Sequence, residues 1–296
     1  MTDKIIIAGG TGFIGRYLQQ RYQDMGYEVI LISRSRGDIQ WGNTKAIVDA
    51  LEGAGLVINL AGKSVDCRYN EKNKKEIFRS RTETTREIGE AISQCLTPPR
   101  LWINSGTATI YRHAEDRPMT ESHGDIGSGF SVDVAKAWEN AFFERDLPAT
   151  RRVVLRISIV LGKNGGAMQP LLNLVRFGLG GKQGNGKQMF SWIHLEDLYR
   201  IIRFLETHHD MQGVYNCAAP APVTNQEMMA TIRRAKGIGF GLPSPEWLLK
   251  VGAVIIKTET ELVLKSRWVL PERLQEAGFE FKYPDLRSAI NEIVLS

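Results

Sequence analysis

Residues Lys4–Gly15, KIIIAGGTGFIG, decide the fold. An apolar run that reads as a buried strand ends in Gly9, Gly12 and Gly15, spaced three apart. In such a turn the first glycine permits the tight bend, the second lets backbone approach a pyrophosphate, and the third lets helix pack on strand. The helix that follows directs its free N–H groups at that anion. Ile14, Leu18, Tyr22 and Met25 recur at helical spacing, Gly26 closes the helix, and Val29–Ile32 is a second apolar strand. Gly9, Thr11, Gly12, Phe13, Ile14 and Gly15 are therefore candidate cofactor-binding residues. Where a chain of this kind selects NAD, an acid ends the second strand and holds the ribose 2′-hydroxyl. Here Ser33 and Arg34 stand there. A guanidinium fork suits a 2′-phosphate, so NADP(H) is the expected cofactor.

The 296 residues suffice for one large α/β unit and a smaller lobe. The net charge of +5 suits an anionic ligand without requiring nucleic acid. The densest basic run, Lys72–Arg81, is interleaved with Glu76 and Phe78 and reads as a solvated helix face, so no nucleic-acid partner is expected. Cys67, Cys95 and Cys217 are scattered, with no metal-ligand spacing; no metal is expected, and reduced thiols fit a cytoplasmic protein. No signal peptide is read at the start, and the apolar run Trp247–Ile256 is too short to span a bilayer, so no membrane partner is expected.

Strand-like and helix-like segments alternate from Lys4 to about Arg203. Strands are read at Leu56–Leu60, Leu101–Ser105, Val153–Ile157 and Val214–Cys217, and helices near Lys74–Gln94, Val132–Arg145 and Leu195–Glu206. The alternation predicts an α/β fold, a doubly wound parallel Rossmann sheet. After Ala218 the character changes. Thr224–Glu227 is a capping box, Pro243 and Pro245 precede an apolar helix, and Pro271 and Glu272 begin another that Gly278 ends. The expected division is a dinucleotide-binding domain over 1–218, with a substrate-side loop at 162–190, and a small, mostly helical C-terminal lobe over 219–296.

GGTGFIG, NLAG at Asn59–Gly62 and SGTATIY at Ser105–Tyr111 resemble, in this order, the extended short-chain dehydrogenase/reductase superfamily. More narrowly, the chain is similar to the nucleoside-diphosphate-sugar epimerase-like (YfcH-like) family. That likeness rests on SRTETT at Ser80–Thr85, KAWE at Lys136–Glu139, the stretch Gly178–Leu198, and LPERLQEAGFEFKYPDL at Leu270–Leu286. It implies that Leu60, Ala61, Gly62, Glu76, Arg81 and Ile159 face the cofactor. Arg81 would meet a phosphate or pair with Glu76. It also implies a small polar substrate, sugar nucleotides being one class.

In the superfamily a hydroxyl after the fifth strand holds the substrate oxygen, and a Tyr-x-x-x-Lys pair moves the proton. By this resemblance Thr107 is the hydroxyl and Lys136 the lysine. Val132, which cannot exchange a proton, occupies the tyrosine position. Three readings stay open. Another group supplies the proton, with Tyr111, Ser131 and Asp133 as candidates. Or substrate groups or water carry it. Or the protein binds NADP(H) without turnover, as a sensor or regulator. The helix is expected to aim Val132 and Lys136 together at the nicotinamide, so that Val132→Tyr would create a slow activity. A monomer or homodimer is expected.

Two further patterns have other readings. Gly181–Lys187 has the spacing of a phosphate loop, but Gln188 stands where Ser or Thr would bind Mg²⁺, so a flexible substrate-side loop is expected. By the same resemblance, His194 and Asp197 are expected to be a packing and hydrogen-bonding element rather than a catalytic pair.

Overall fold

The computed structural model describes residues 4–247, 249 and 264–295. Its first strand, β1 (Lys4–Ala8), is apolar from Ile5 to Ala8 because it is covered there on both faces. Ile5 and Ile7 point to one side, where α1 (Phe13–Asp24) supplies Leu18 and Tyr22 and α6 (Leu195–Thr207) supplies Leu198 and Ile202. Ile6 and Ala8 point to the other. There α2 (Thr44–Leu51), α3 (Glu71–Gln94) and α4 (Phe130–Phe143) bury Leu51, Ile88, Ile92 and Phe142.

On one side β1 pairs with β2 (Glu28–Ser33), which continues to the short edge strand β3 (Ile39–Gln40). On the other it pairs with β4 (Leu56–Asn59). Beyond lie β5 (Leu101–Thr107), β6 (Arg151–Ile157) and β10 (Gly213–Cys217). All these pairs are parallel, and the seven-stranded order is β10-β6-β5-β4-β1-β2-β3. The order reverses at β1. The crevice over the carboxyl ends of β1, β2 and β4 is therefore the place where an open α/β sheet takes a ligand.

The segment 162–190 holds α5 (Met168–Arg176) and ends in β8 (Met189–Phe190). The strand-like stretch after Lys187 is broken at Ser191 into β8 and β9 (Trp192–His194), the latter pairing with β7 (Ile159–Leu161). Beyond the sheet, β11 (Val223–Thr224) pairs with β8. The capping box forms as read: the Thr224 hydroxyl accepts from Glu227 N, and the Glu227 carboxylate accepts from Thr224 N, opening α7 (Asn225–Ala235). A helix over Glu272–Glu276 ends at Gly278, whose φ of +77° favours glycine. Met228, Met229 and Ile232 of α7 share a core with Met168, Trp192 and Leu286, Ile290 and Ile293 of the last helix, Leu286–Leu295. Most of the apolar run Trp247–Ile256 lies outside the described residues.

The stretch 266–270 is threaded between two earlier segments. Ser191 N and Oγ both donate to the Arg267 carbonyl, and Val269 N donates to Ser191 Oγ. Met119 N donates to the Trp268 carbonyl, and Leu270 N returns a bond to Met119 O.

Candidate functional site

Each of the three glycines at the β1–α1 turn has a distinct neighbourhood. A Cβ on Gly9, whose φ is +76°, would lie 2.7–2.8 Å from the backbone of Leu60 and Ala61. One on Gly15 would lie 2.5 Å from Gly10 Cα, so helix and turn could not pack. At Gly12 a Cβ would meet only Gly9 O, at 3.5 Å. The protein leaves room there, and Gly12 caps α1 with no side chain satisfying the helix start. Open space in front of uncapped N–H groups fits a pyrophosphate. Thr11 is exposed, and its carbonyl accepts from Arg16. The Phe13 ring lies under the loop after β7, where Cβ atoms on Gly165 and Gly166 would come within 2.5 and 2.8 Å of it. Ile14 packs against the core.

At the end of β2 the two expected specificity residues separate. Ser33 is buried, and its Oγ accepts from Arg36 N at 3.0 Å, holding the turn. Arg34 is exposed. Glu76 pairs with Lys63 at 2.6 Å and not with Arg81, which corrects the expected partner. The hydrogen bond and charge of Lys63, with Lys72 and Arg34 near, hold the Glu76 carboxyl below its usual range. Arg81 turns inward instead. Its Nη1 donates to the carbonyls of Lys63 and Ile77, its plane lies 5.1 Å from the Trp138 ring centroid, and its Cζ would be 3.1 Å from a Cβ on Gly62. Burial lowers its pKa to about 10, and no carboxylate pairs with it among the described residues. A desolvated cation without a counterion beside the Leu60–Gly62 loop favours an anionic ligand.

The Leu60–Gly62 loop is held from behind. Fully buried Asn59 accepts from Ala61 N at 3.0 Å and donates to Asn104 Oδ1 at 2.7 Å and to Thr85 Oγ1 at 3.0 Å. Trp138 Nε1 also donates to Thr85 Oγ1 at 3.0 Å. NLAG, SRTETT and KAWE thus converge in one buried polar knot. The positioning roles of Asn59, Thr85, Asn104 and Trp138 went unread in the sequence. Its signal was polar residues embedded in apolar strands and helix faces.

At the carboxyl ends of β5 and β6, Thr107 is half-buried and its Oγ1 accepts from Thr109 N at 3.2 Å. Lys136 on α4 is exposed, as is Asp133. Val132 is fully buried among Ala108, Ile110, Tyr111, Ala135, Ala218 and Val269, so it does not present itself to a ligand beside Lys136. Tyr111 is 2% exposed, and its hydroxyl is held at 2.9 Å by both Asn216 Oδ1 and Arg156 Nη1. Burial raises its pKa against the opposing influence of Arg156 and Asn216. With both bonds made to the protein interior and none to Thr107, Tyr111 is placed as a structural phenol, which counts against the proton-carrier reading. Arg156 meets both oxygens of Glu139 at 2.8 Å. Burial opposes its charge, but Glu139 and Tyr111 outweigh burial and raise its pKa. Ile159 opens β7 and packs against the C-terminal core.

These surroundings reverse one expectation. Val132→Tyr is expected to overpack a filled site and cost about 1–3 kcal/mol, with no new NADP-linked turnover. Thermal melting and a reductase assay on the variant check both parts.

The loop Gly181–Lys187 is anchored. Gly181 N and Gly184 N donate to the carbonyls of Leu242 and Ser244, and buried Gln183 exchanges hydrogen bonds with Asn225. No free phosphate loop exists there. His194 Nδ1 accepts from Glu196 N and its Nε2 meets Glu292 at 3.0 Å, while Asp197 accepts from Lys282 N and Tyr283 N. Both serve to join α6 to the C-terminal segment. Among the described residues no cluster of metal-ligating side chains occurs, and no helix is long and apolar enough to cross a membrane.

A profile of the NAD dependent epimerase/dehydratase family matches residues 5–218, and a domain of unknown function, DUF1731, matches 244–293. The chain is 35% identical to the human epimerase family protein SDR39U1, over 98% of this chain and 99% of that one. It is 31% identical to the epimerase family protein YfhF of Bacillus subtilis, over 98% and 97%. The crystal structure of human SDR39U1 (isoform 2) with NADPH superposes with a TM-score of 0.90 at 33% identity, covering 99% of both chains.

Proposed function

Because the chain belongs to the NAD dependent epimerase/dehydratase family, we propose that it is an NADP(H)-dependent oxidoreductase or epimerase acting on a small polar substrate of the sugar-nucleotide kind. The observation that carries this reading is the turn at Gly9–Gly15. Space is closed behind Gly9 and Gly15 and open only in front of Gly12. Bound there, NADPH supplies the hydride. The backbone at Gly12–Ile14 would hold the pyrophosphate, and the loop Leu60–Gly62 would lie against the ribose. The buried charge of Arg81 would favour the bound anion. Thr107 would hold the substrate oxygen, and the exposed Lys136 ammonium would orient the ribose or hold a proton.

Arg34 is the exposed cation next to the end of β2 and the residue proposed to choose the dinucleotide. Arg34→Ala is expected to cost about 1.5–3 kcal/mol of NADPH affinity, the worth of a hydrogen bond to a charged group, with little change for NADH. Calorimetric titration of both dinucleotides tests this. Equal affinities in the parent protein would overturn the assignment.

A second reading, an NADP(H)-binding regulator without turnover, is favoured by the tyrosine position being a fully buried valine. Transfer of deuterium from labelled NADPH to any of a panel of nucleotide sugars separates the two. Transfer supports the enzyme, and its absence across the panel with NADPH bound supports the regulator.

A further inference from the structure

The loops that follow β2 and β4 rise on either side of the glycine turn. Ala8, the last residue of β1, pairs with Ile32 on one side and with Asn59 on the other. Neighbouring strands lie about 4.8 Å apart, so the chains leaving β2 and β4 are about 10 Å apart across β1. Arg34 stands two residues beyond the level of Ala8 on one side, and Lys63 four residues beyond it on the other.

Lys63 is held in place by α3. Its N–H donates to Ser80 Oγ at 2.8 Å, and its carbonyl accepts from Arg81 Nη1 at 3.0 Å. Its ammonium meets Glu76 Oε2 at 2.6 Å, one helical turn before Ser80. Both partners stay open to solvent, with side chains 28% and 45% exposed. Glu76 is one carboxylate among cations. The hydrogen bond and charge of Lys63, then the charges of Lys72 and Arg34, keep it ionised below its usual range. Three cations around one carboxylate leave positive charge over. A phosphate monoester carries about −1.5 to −2 at neutral pH and would balance them better than a carboxylate does.

We propose that Lys63 is a second cation reading the ribose 2′-phosphate, and that Glu76 stands in for this phosphate until NADPH binds. The proposal rests on the reading that Arg34 meets the same phosphate. On binding, the Lys63 ammonium passes from Glu76 to phosphate oxygens while Arg34 closes from the β2 side. An exposed ion pair is weak in water and yields readily to a more highly charged anion. The lysine stem is flexible and its three donors rotate, so the exchange needs no backbone movement. With NADH there is no 2′-phosphate to compete, and Lys63 keeps Glu76. The pair therefore acts on selectivity alone.

The probes are 2′,5′-ADP and 5′-AMP, the adenosine half of the cofactor with and without the 2′-phosphate. Each is titrated calorimetrically into the full chain and its variants. The ratio of the two affinities is the readout, because a damaged fold would weaken both ligands together. Lys63→Met should lower the preference for 2′,5′-ADP about fivefold, the worth of a charge-assisted bond less that of the pairing it replaces. Glu76→Gln should raise the preference about two- to fivefold, as loss of one exposed pairing does. The double variant Lys63→Met/Glu76→Gln should remain below the parent. A double variant with the parent's preference would reduce Lys63 to a neutraliser of Glu76 and overturn the proposal. Single variants that leave the preference unmoved, while Arg34→Ala removes it, would overturn the proposal and leave the role of Arg34 standing. A parent that binds both ligands equally would overturn the role of Arg34 and this proposal with it.

Discussion

Gly12→Val is expected to weaken NADPH binding by about a hundredfold or more while the protein still folds. The valine side chain would fill the space in front of the α1 start. At least two backbone bonds to phosphate would then be lost, each worth about 1.5–3 kcal/mol, and every 1.4 kcal/mol is about tenfold in affinity. The fold should survive because Gly12 has ordinary extended backbone, φ −77° and ψ 177°, and its Cβ direction meets only Gly9 O at 3.5 Å. Gly15→Val is the contrasting control. Its Cβ would fall 2.5 Å from Gly10 Cα, and the helix could not seat. Thermal melting with calorimetric titration distinguishes the two. Normal NADPH binding by Gly12→Val would refute the proposed cradle.

Arg156→Met should be the most destabilising single change at the reaction end, at about 3–5 kcal/mol. Arg156 and Glu139 are 12% and 13% exposed and joined through two hydrogen bonds, and the third arm of the guanidinium holds Tyr111. Removing the cation leaves the carboxylate buried without its partner. The double variant Arg156→Met/Glu139→Leu should recover most of the loss, since replacing both partners with apolar groups is often near neutral. Urea unfolding of the wild type, both singles and the double measures the coupling. Additive effects of the two single changes would refute it.

The sheet was legible because β1 and its glycines carry their structural reason locally: a run buried on both faces, then three backbone constraints at fixed spacing. The long helix was legible too, but its start was placed three residues late. Asn70 caps it and accepts from Asn73 N, a local signal masked by the charges of Glu71–Lys75. Helix α2 is not legible in the sequence, because eight residues, Thr44–Leu51, offer barely two turns of periodicity.

Side-chain partnerships were less legible because they cross the chain. Glu76 sits beside Arg81 in sequence, yet its partner Lys63 comes from the loop after β4. Val132 was read from its place in a motif. Its real neighbours are Ala108, Ala218 and Val269, brought together only by the tertiary fold. The Gly181–Lys187 loop shows the same limit. Glycine content predicts freedom, whereas Leu242, Ser244 and Asn225 supply anchors that local sequence does not reveal.

The threading of residues 266–270 between Met119 and Ser191 also constrains how the protein is made. A nascent chain that has emerged through Cys217 already contains every strand of the seven-stranded sheet. Its Ser191 and Met119 backbone groups, however, still await partners more than seventy residues downstream. The sheet can form during synthesis, while the wall beside it must stay open until translation is nearly finished. In that interval, exposed backbone donors and apolar surface at β8 and β9 make the unfinished chain most vulnerable to aggregation and most in need of a chaperone.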